Sequence, residues 1–136
     1  MPKLDPTAIA ALRSKLTPDV EEIAFAEGTE HAFSHALHDE KRDGRYHCAV
    51  CDQALFSSQH KYNSGSGWPS FWQPTDEDGV ETKTDYKLAV PRTEIHCSNC
   101  GAHLGHQFGD GPQPTGQRYC INGTVLDFQL DKSTET

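Results

Sequence analysis

Two Cys-x-x-Cys pairs, Cys48-Ala49-Val50-Cys51 and Cys97-Ser98-Asn99-Cys100, constrain this chain more than any other feature. Each pair offers two thiolates from one tight turn, and two pairs complete a tetrahedral Cys₄ set for Zn²⁺. Taken singly, either pair also suits a redox dithiol. Two pairs in one small acidic chain favour a single closed site. Their separation exceeds the gap of about 15–20 residues found in a compact zinc ribbon. The expectation is therefore one Zn²⁺ per chain, held by Cys48, Cys51, Cys97 and Cys100 and joining two ends of a sheet. Such a clamp would assist a 136-residue chain whose hydrophobic content is 35% and whose mean hydropathy is −0.70, values that make for a modest core. His103 is close enough to Cys100 to be weighed as a ligand. With four thiolates it is not needed, and a closed Cys₄ site leaves no open position for catalysis. The zinc is read as structural.

The fifth cysteine, Cys120, has no sequence partner. Residues 117–121 have the texture of a short strand, and a side-chain period of two places Arg118, Cys120 and Asn122 on one face. A thiol reacts as its thiolate, with an ordinary pKa of about 8.5, and a neighbouring guanidinium is expected to lower that value. A buried structural cysteine is the plain alternative. The surrounding residues favour chemistry. His103 and His106 follow the second knuckle and can supply a proton, and Asp110 could orient one of them and favour its protonated form. Which histidine donates is left open. In Gly65-Ser66-Gly67-Trp68-Pro69-Ser70-Phe71-Trp72, glycines permit tight turns and Pro69 stiffens the loop. Trp68 then offers an exposed apolar face, whereas Phe71 and Trp72 read as core.

Twenty acidic against twelve basic residues give a net charge of −8, which argues against a nucleic-acid partner. No apolar run approaches the length of about 20 residues that a membrane span needs, and the first residues lead into a helix pattern rather than a signal peptide. Free thiols arranged for metal suit a reducing compartment, so the expectation is a cytoplasmic protein, read as a monomer.

The chain reads as a single domain, 1–136. Residues 1–16 carry an N-terminal helix, with Asp5-Pro6 as its start. Residues 17–130 form a β-domain opened by a second helix at Thr17-Pro18 that stops at Gly28. The polar, histidine-rich stretch 27–44, with His31, His35 and His38, reads as an exposed connector. Strand textures follow around 46–50, at Tyr86, Leu88 and Val90, at 94–97, and over Val125, Leu126 and Phe128. Residues 131–136 form a polar tail without an expected fixed structure.

From residue 16 to 128 the chain resembles the peptide methionine-R-sulfoxide reductases, the MsrB family. The resemblance rests on Cys-Ala-Val-Cys, Phe56-Ser57-Ser58, Gly-Trp-Pro-Ser-Phe, Gly101-Ala102-His103-Leu104-Gly105-His106 and Arg-Tyr-Cys-Ile-Asn. It implies a mainly β fold of two small antiparallel sheets with peripheral N-terminal helices and a structural zinc. By the same resemblance Cys120 is the nucleophile, His103, His106, Asp110, Arg118 and Asn122 surround the sulfoxide, and Trp68 receives the S-methyl group. The implied activity is reduction of methionine-R-sulfoxide in peptides and proteins through a Cys120 sulfenic acid. Many members carry a resolving cysteine in the glycine loop. Ser66 stands there, so a small thiol or a thioredoxin- or glutaredoxin-like partner is expected to restore the enzyme.

Two other classes compete with an enzyme. A zinc-bearing binding module would have no reason to combine Cys120 with Arg118 and two histidines, and a zinc-ribbon nucleic-acid module is disfavoured by the charge.

Overall fold

Asp5 caps the first helix, α1 (Pro6–Arg13), where its carboxylate accepts from the Ala8 N–H at 2.8 Å. The second helix, α2 (Pro18–Phe25), also has proline in its first turn, with Asp19 and Glu21 near the positive end of its dipole. Arg13 joins the two helices, its Nε donating to Glu21 at 3.1 Å while its guanidinium lies 4.4 Å from the Phe25 ring centroid. Ile23 and Ala24 are the fully buried residues of this pair, so α2 is the helix that seals the core. The computed structural model describes residues 2–26, 28–86 and 91–130. Among them no helix is long and apolar enough to cross a membrane.

Among the described residues nine strands follow in chain order: β1 (Gly44–Cys48), β2 (Ala54–Ser57), β3 (Lys61–Tyr62), β4 (Ser70–Phe71), β5 (Val80–Asp85), β6 (Arg92–Cys97), β7 (His103–Phe108), β8 (Arg118–Ile121) and β9 (Leu126–Leu130). They form a three-stranded sheet in the order β2-β1-β9 and a six-stranded sheet in the order β3-β4-β8-β7-β6-β5. All pairings are antiparallel. The expected mainly β architecture of two antiparallel sheets with two N-terminal helices is what the chain adopts.

Aromatic residues from both sheets meet in the core. Phe71 of β4 stacks on Phe56 of β2 at 4.4 Å and meets Tyr46 of β1 edge-on at 5.1 Å. Burial of each ring, plus pair geometry worth about 0.5–1.5 kcal/mol, makes this contact the seam between the sheets. Trp72, expected in the core beside Phe71, is only half-buried and lies against His60 with ring centroids 4.6 Å apart.

Further features go beyond the expectation. A strand that the sequence did not mark, β5, precedes the one placed at Tyr86, Leu88 and Val90, and all six of its residues Val80–Asp85 pair with β6. Tyr86 is outside any strand and exposed, and residues 87–90 lie outside the described residues, as does the tail 131–136. As an edge strand, β5 tolerates Thr, Glu and Lys, which masked its character. The strand β7 carries Gly105 at its centre, and the reason is spatial: a Cβ there would lie 2.0 Å from the Cys120 carbonyl oxygen. Finally, the histidine-rich stretch connects α2 to β1 and is exposed over much of its length, as expected, but it is also a strap anchored to the domain. It includes a 3-10 turn at Ala36–Asp39, its His35 ring packs over Gly123, and Glu30 is buried.

Candidate active site and metal centre

The two knuckles fold alike. The Asp52 N–H donates to the Cys48 carbonyl at 2.8 Å and the Gly101 N–H to the Cys97 carbonyl at 2.8 Å, with both donors at positive φ, 67° and 80°. Each first cysteine ends a strand: Cys48 closes β1 and Cys97 closes β6. The clamp therefore bridges the two sheets, rather than two ends of one sheet, as expected from spacing alone. The four sulfurs lie within 4.8 Å of one another, with Cys48 and Cys100 3.7 Å apart and Cys51 and Cys97 3.6 Å apart. A tetrahedron of thiolates about 2.3 Å from a central Zn²⁺ has edges of about 3.8 Å, so the donor set fits zinc.

Cys120 occupies the centre of the larger sheet. It is the cross-strand partner of Ser70 on β4 and of His106 on β7, and His106 in turn pairs with Glu94 on β6. Directly opposed residues share a face of the sheet, so one row across four strands presents a hydroxyl, a thiol, an imidazole and a carboxylate. Above it opens a cavity of about 320 Å³ lined by Cys120, Arg118, His106, Asn122, Trp68 and Ser66, with Arg92 and Phe108 at its wall.

Burial pushes the Cys120 thiol up, opposed by a contact with the Ser66 hydroxyl at 3.7 Å and by the charge of Arg118. The expected lowering by Arg118 is thus present in sign but is outweighed by desolvation. Part of the reason is that Arg118 is shared. Its Nε donates to Asp110 at 2.9 Å, a second nitrogen reaches the other carboxylate oxygen at 3.3 Å, and the guanidinium lies 4.3 Å from the Phe108 ring centroid. Asp110 accordingly engages Arg118, not a histidine as expected, and the pair holds Asp110 below the ordinary carboxylate range.

The histidines have different settings. His106 faces the cavity, whereas His103 is 1% exposed, with its ring centroid 5.5 Å from that of His106 and 5.4 Å from that of His96. Glu94, 2% exposed, contacts His96 Nε2 at 3.0 Å, and the polar atoms of Glu94, His96 and His103 lie within 4.8 Å of one another. This buried carboxylate–imidazole group supports the histidine pair from behind.

Glu30 is the residue that sequence reasoning missed. Its N–H donates to Asn122 Oδ1 at 3.0 Å and its carbonyl accepts from Trp68 Nε1 at 3.0 Å. One carboxylate oxygen accepts from both the N–H and the hydroxyl of Thr124, each at 2.8 Å. The strap thus fixes the half-buried Trp68 and the buried Asn122, whose amide donates to the Leu104 carbonyl at 2.9 Å. No local signal marks Glu30, because its partners lie 38, 92 and 94 residues away.

The SelR domain matches residues 16–130. Over 119 residues the chain is 49% identical to "Peptide methionine sulfoxide reductase MsrB" of Thioalkalivibrio sulfidiphilus (strain HL-EbGR7), covering 88% of this chain and 87% of that protein. It is 52% identical over 119 residues to the protein of the same name from Leptospira interrogans serogroup Icterohaemorrhagiae serovar Lai (strain 56601), covering 88% and 91%. With two antiparallel sheets, a four-cysteine cluster and a match over most of its length, the chain belongs to the SelR-domain family of MsrB oxidoreductases.

Proposed function

We propose that this protein reduces the R epimer of methionine sulfoxide, in oxidised proteins and peptides, to methionine, with Cys120 as the nucleophile. The observation that carries the reading is the cavity. Among the described residues, Cys120 is the one cysteine outside the metal cluster, and it faces a space shared by an imidazole, a guanidinium and an indole. A sulfoxide sulfur is electrophilic but its oxygen leaves poorly, so attack by thiolate must be matched by proton delivery to oxygen. In this reading the Cys120 thiolate attacks sulfur and His106, the imidazole lining the cavity, protonates the oxygen. His103 backs His106, Arg118 and Asn122 hold the oxygen side, and Asp110 orients Arg118. The Trp68 face takes the S-methyl group. The sulfoxide S–O bond then breaks with loss of water, and water adds to the Cys120 sulfur as the S–S bond breaks and methionine leaves. The two-electron reduction of the sulfoxide is matched by two-electron oxidation of Cys120 to a sulfenic acid.

Cys48, Cys51, Cys97 and Cys100 would hold a structural Zn²⁺ that cross-links the sheets and takes no part in the reaction. With the other four cysteines so committed, an external thiol reduces the sulfenic acid: a small thiol or a thioredoxin- or glutaredoxin-like partner reaching Cys120 through the open cavity. Residues 1–136 work as one domain and as a monomer, and the paired thiolates suit the reducing cytoplasm. The test is turnover of the separated epimers with a chemical thiol as reductant. R-selective turnover that Cys120→Ser abolishes while metal and fold remain supports the assignment, and preference for the S epimer sinks it.

A further inference from the structure

Ser66 contacts Cys120, and Ser64 and Ser70 extend that contact into a chain of hydroxyls in which each hydrogen can be assigned. Each serine hydroxyl has one hydrogen to donate and two lone pairs to accept with. Ser70 Oγ donates to the Trp68 carbonyl at 3.0 Å. The contact of 2.7 Å between Ser64 and Ser70 must then use the hydrogen of Ser64. That leaves the contact of 2.8 Å between Ser64 and Ser66 to the hydrogen of Ser66. With its hydrogen spent on Ser64, Ser66 accepts from the Trp68 N–H at 3.4 Å and from the Cys120 thiol at 3.7 Å. In the thiol form every hydroxyl hydrogen has an acceptor, and Ser64 and Ser66 each accept two bonds.

Ionisation of Cys120 disturbs one link in this chain. Its proton passes to water in the cavity, and the sulfur changes from donor to acceptor. The Ser66 hydrogen can then turn from Ser64 to the thiolate by rotation of one hydroxyl. Ser64 keeps its donation to Ser70 and still accepts from the Ser66 N–H at 3.2 Å, so no heavy atom need move.

We propose that Ser66 is a catalytic residue: its hydroxyl switches from Ser64 to Cys120 as the thiol ionises and donates a hydrogen bond to the nucleophilic thiolate. This rests on the reading of Cys120 as nucleophile. It gives a function of its own to the position where many family members carry a resolving cysteine. The opposing burial cost on Cys120 is the cost that such a bond offsets.

Arg118 on β8, Tyr62 on β3 and Glu30 in the strap also act on Cys120, and Arg92 and His106 line the same cavity. All are retained in the variants that test the switch. The experiment follows alkylation of Cys120 by iodoacetamide against pH in zinc-loaded full-length protein, with the modified residue identified by mass spectrometry. Ser66→Ala should raise the midpoint by about one pH unit, which is about a tenfold loss of reactivity near pH 7. Its kcat/KM should fall in parallel at neutral pH and recover in alkali. Ser64→Ala removes the competing acceptor and should leave the midpoint unchanged or lower it. An unshifted midpoint in Ser66→Ala overturns the proposal, and so does an equal rise in Ser64→Ala, which would mark a general loosening of the loop. If Cys120→Ser remained active, the nucleophile assignment would fall, whereas the alkylation profiles would still report on the hydrogen bond.

Discussion

Ser66→Cys puts a second thiol beside Cys120, and the structure sets what that should do. The Ser66 oxygen lies 3.7 Å from the Cys120 sulfur, and a disulfide needs about 2.05 Å. Subtracting the second from the first leaves about 1.6 Å to close. A sulfur reaches farther from Cβ than the oxygen it replaces, which removes part of that gap. The loop can supply the rest, because Gly65 and Gly67 flank the position at φ 78° and 89°, and a Cβ at Gly65 would meet nothing within 4 Å. The bond would link positions 54 apart, for which loop entropy predicts a stabilisation of about 4 kcal/mol, less any native strain. In a chain of this size that is a rise in Tm on the order of 10 °C. The assay is one turnover without reductant, in the presence of a sulfenic-acid trap, followed by intact mass and thermal unfolding. Wild-type protein should carry the trap on Cys120 with zinc retained. The variant should carry none, weigh two hydrogens less than its reduced form, and melt higher until reduced. Trapping at the wild-type level with no loss of mass would refute the argument from reach. A disulfide between Cys120 and a knuckle cysteine in wild-type protein, with zinc released, would refute the assignment of the other four thiols to metal.

Zinc-loaded native protein should show one reactive thiol and denatured, chelated protein five, while Cys97→Ser should lose both metal and helical and sheet signal by circular dichroism, since binding at such a site is part of the folding free energy. Burial raises the Cys120 thiol in the folded state, so above the ordinary thiol value of about 8.5 the unfolded chain binds fewer protons and stability should fall as pH rises. Urea midpoints across pH 7–10 should show that decline in wild-type protein and a shallower one in Cys120→Ser, and equal slopes would contradict it. Glu30→Ala strands the N–H and hydroxyl of Thr124 and should cost about 1–3 kcal/mol, a loss that an unchanged denaturation midpoint would disprove. Trp68→Ala should lower kcat/KM for the sulfoxide by about tenfold or more through loss of its apolar face, with the stability change measured separately because the indole also bonds Glu30.

Local chemistry makes much of this molecule legible in its sequence. Asp5-Pro6 and Thr17-Pro18 mark helix starts because capping and proline geometry act within a few residues. The knuckles are legible because a Cys-x-x-Cys turn prepares its own ligands. Strand β8 is legible in part because alternation puts Arg118 and Cys120 on one face. What spacing could not say is which strands become neighbours. Register across β4, β8, β7 and β6 alone aligns Ser70, Cys120, His106 and Glu94, and the hydrogen bonds and burial that choose it form only between distant segments. The same non-locality explains the corrections. Asp110 and Arg118 lie eight residues apart across a loop, too far for periodicity to pair them, and desolvation of Cys120 comes from elements that sequence neighbours do not reveal. The strap read as a solvated connector because its residues are polar, yet Glu30 and His35 find their partners near residue 122. A polar side chain declares its chemistry in the sequence, but whether that chemistry is spent on solvent, on the fold or on a substrate depends on what the folded chain brings beside it.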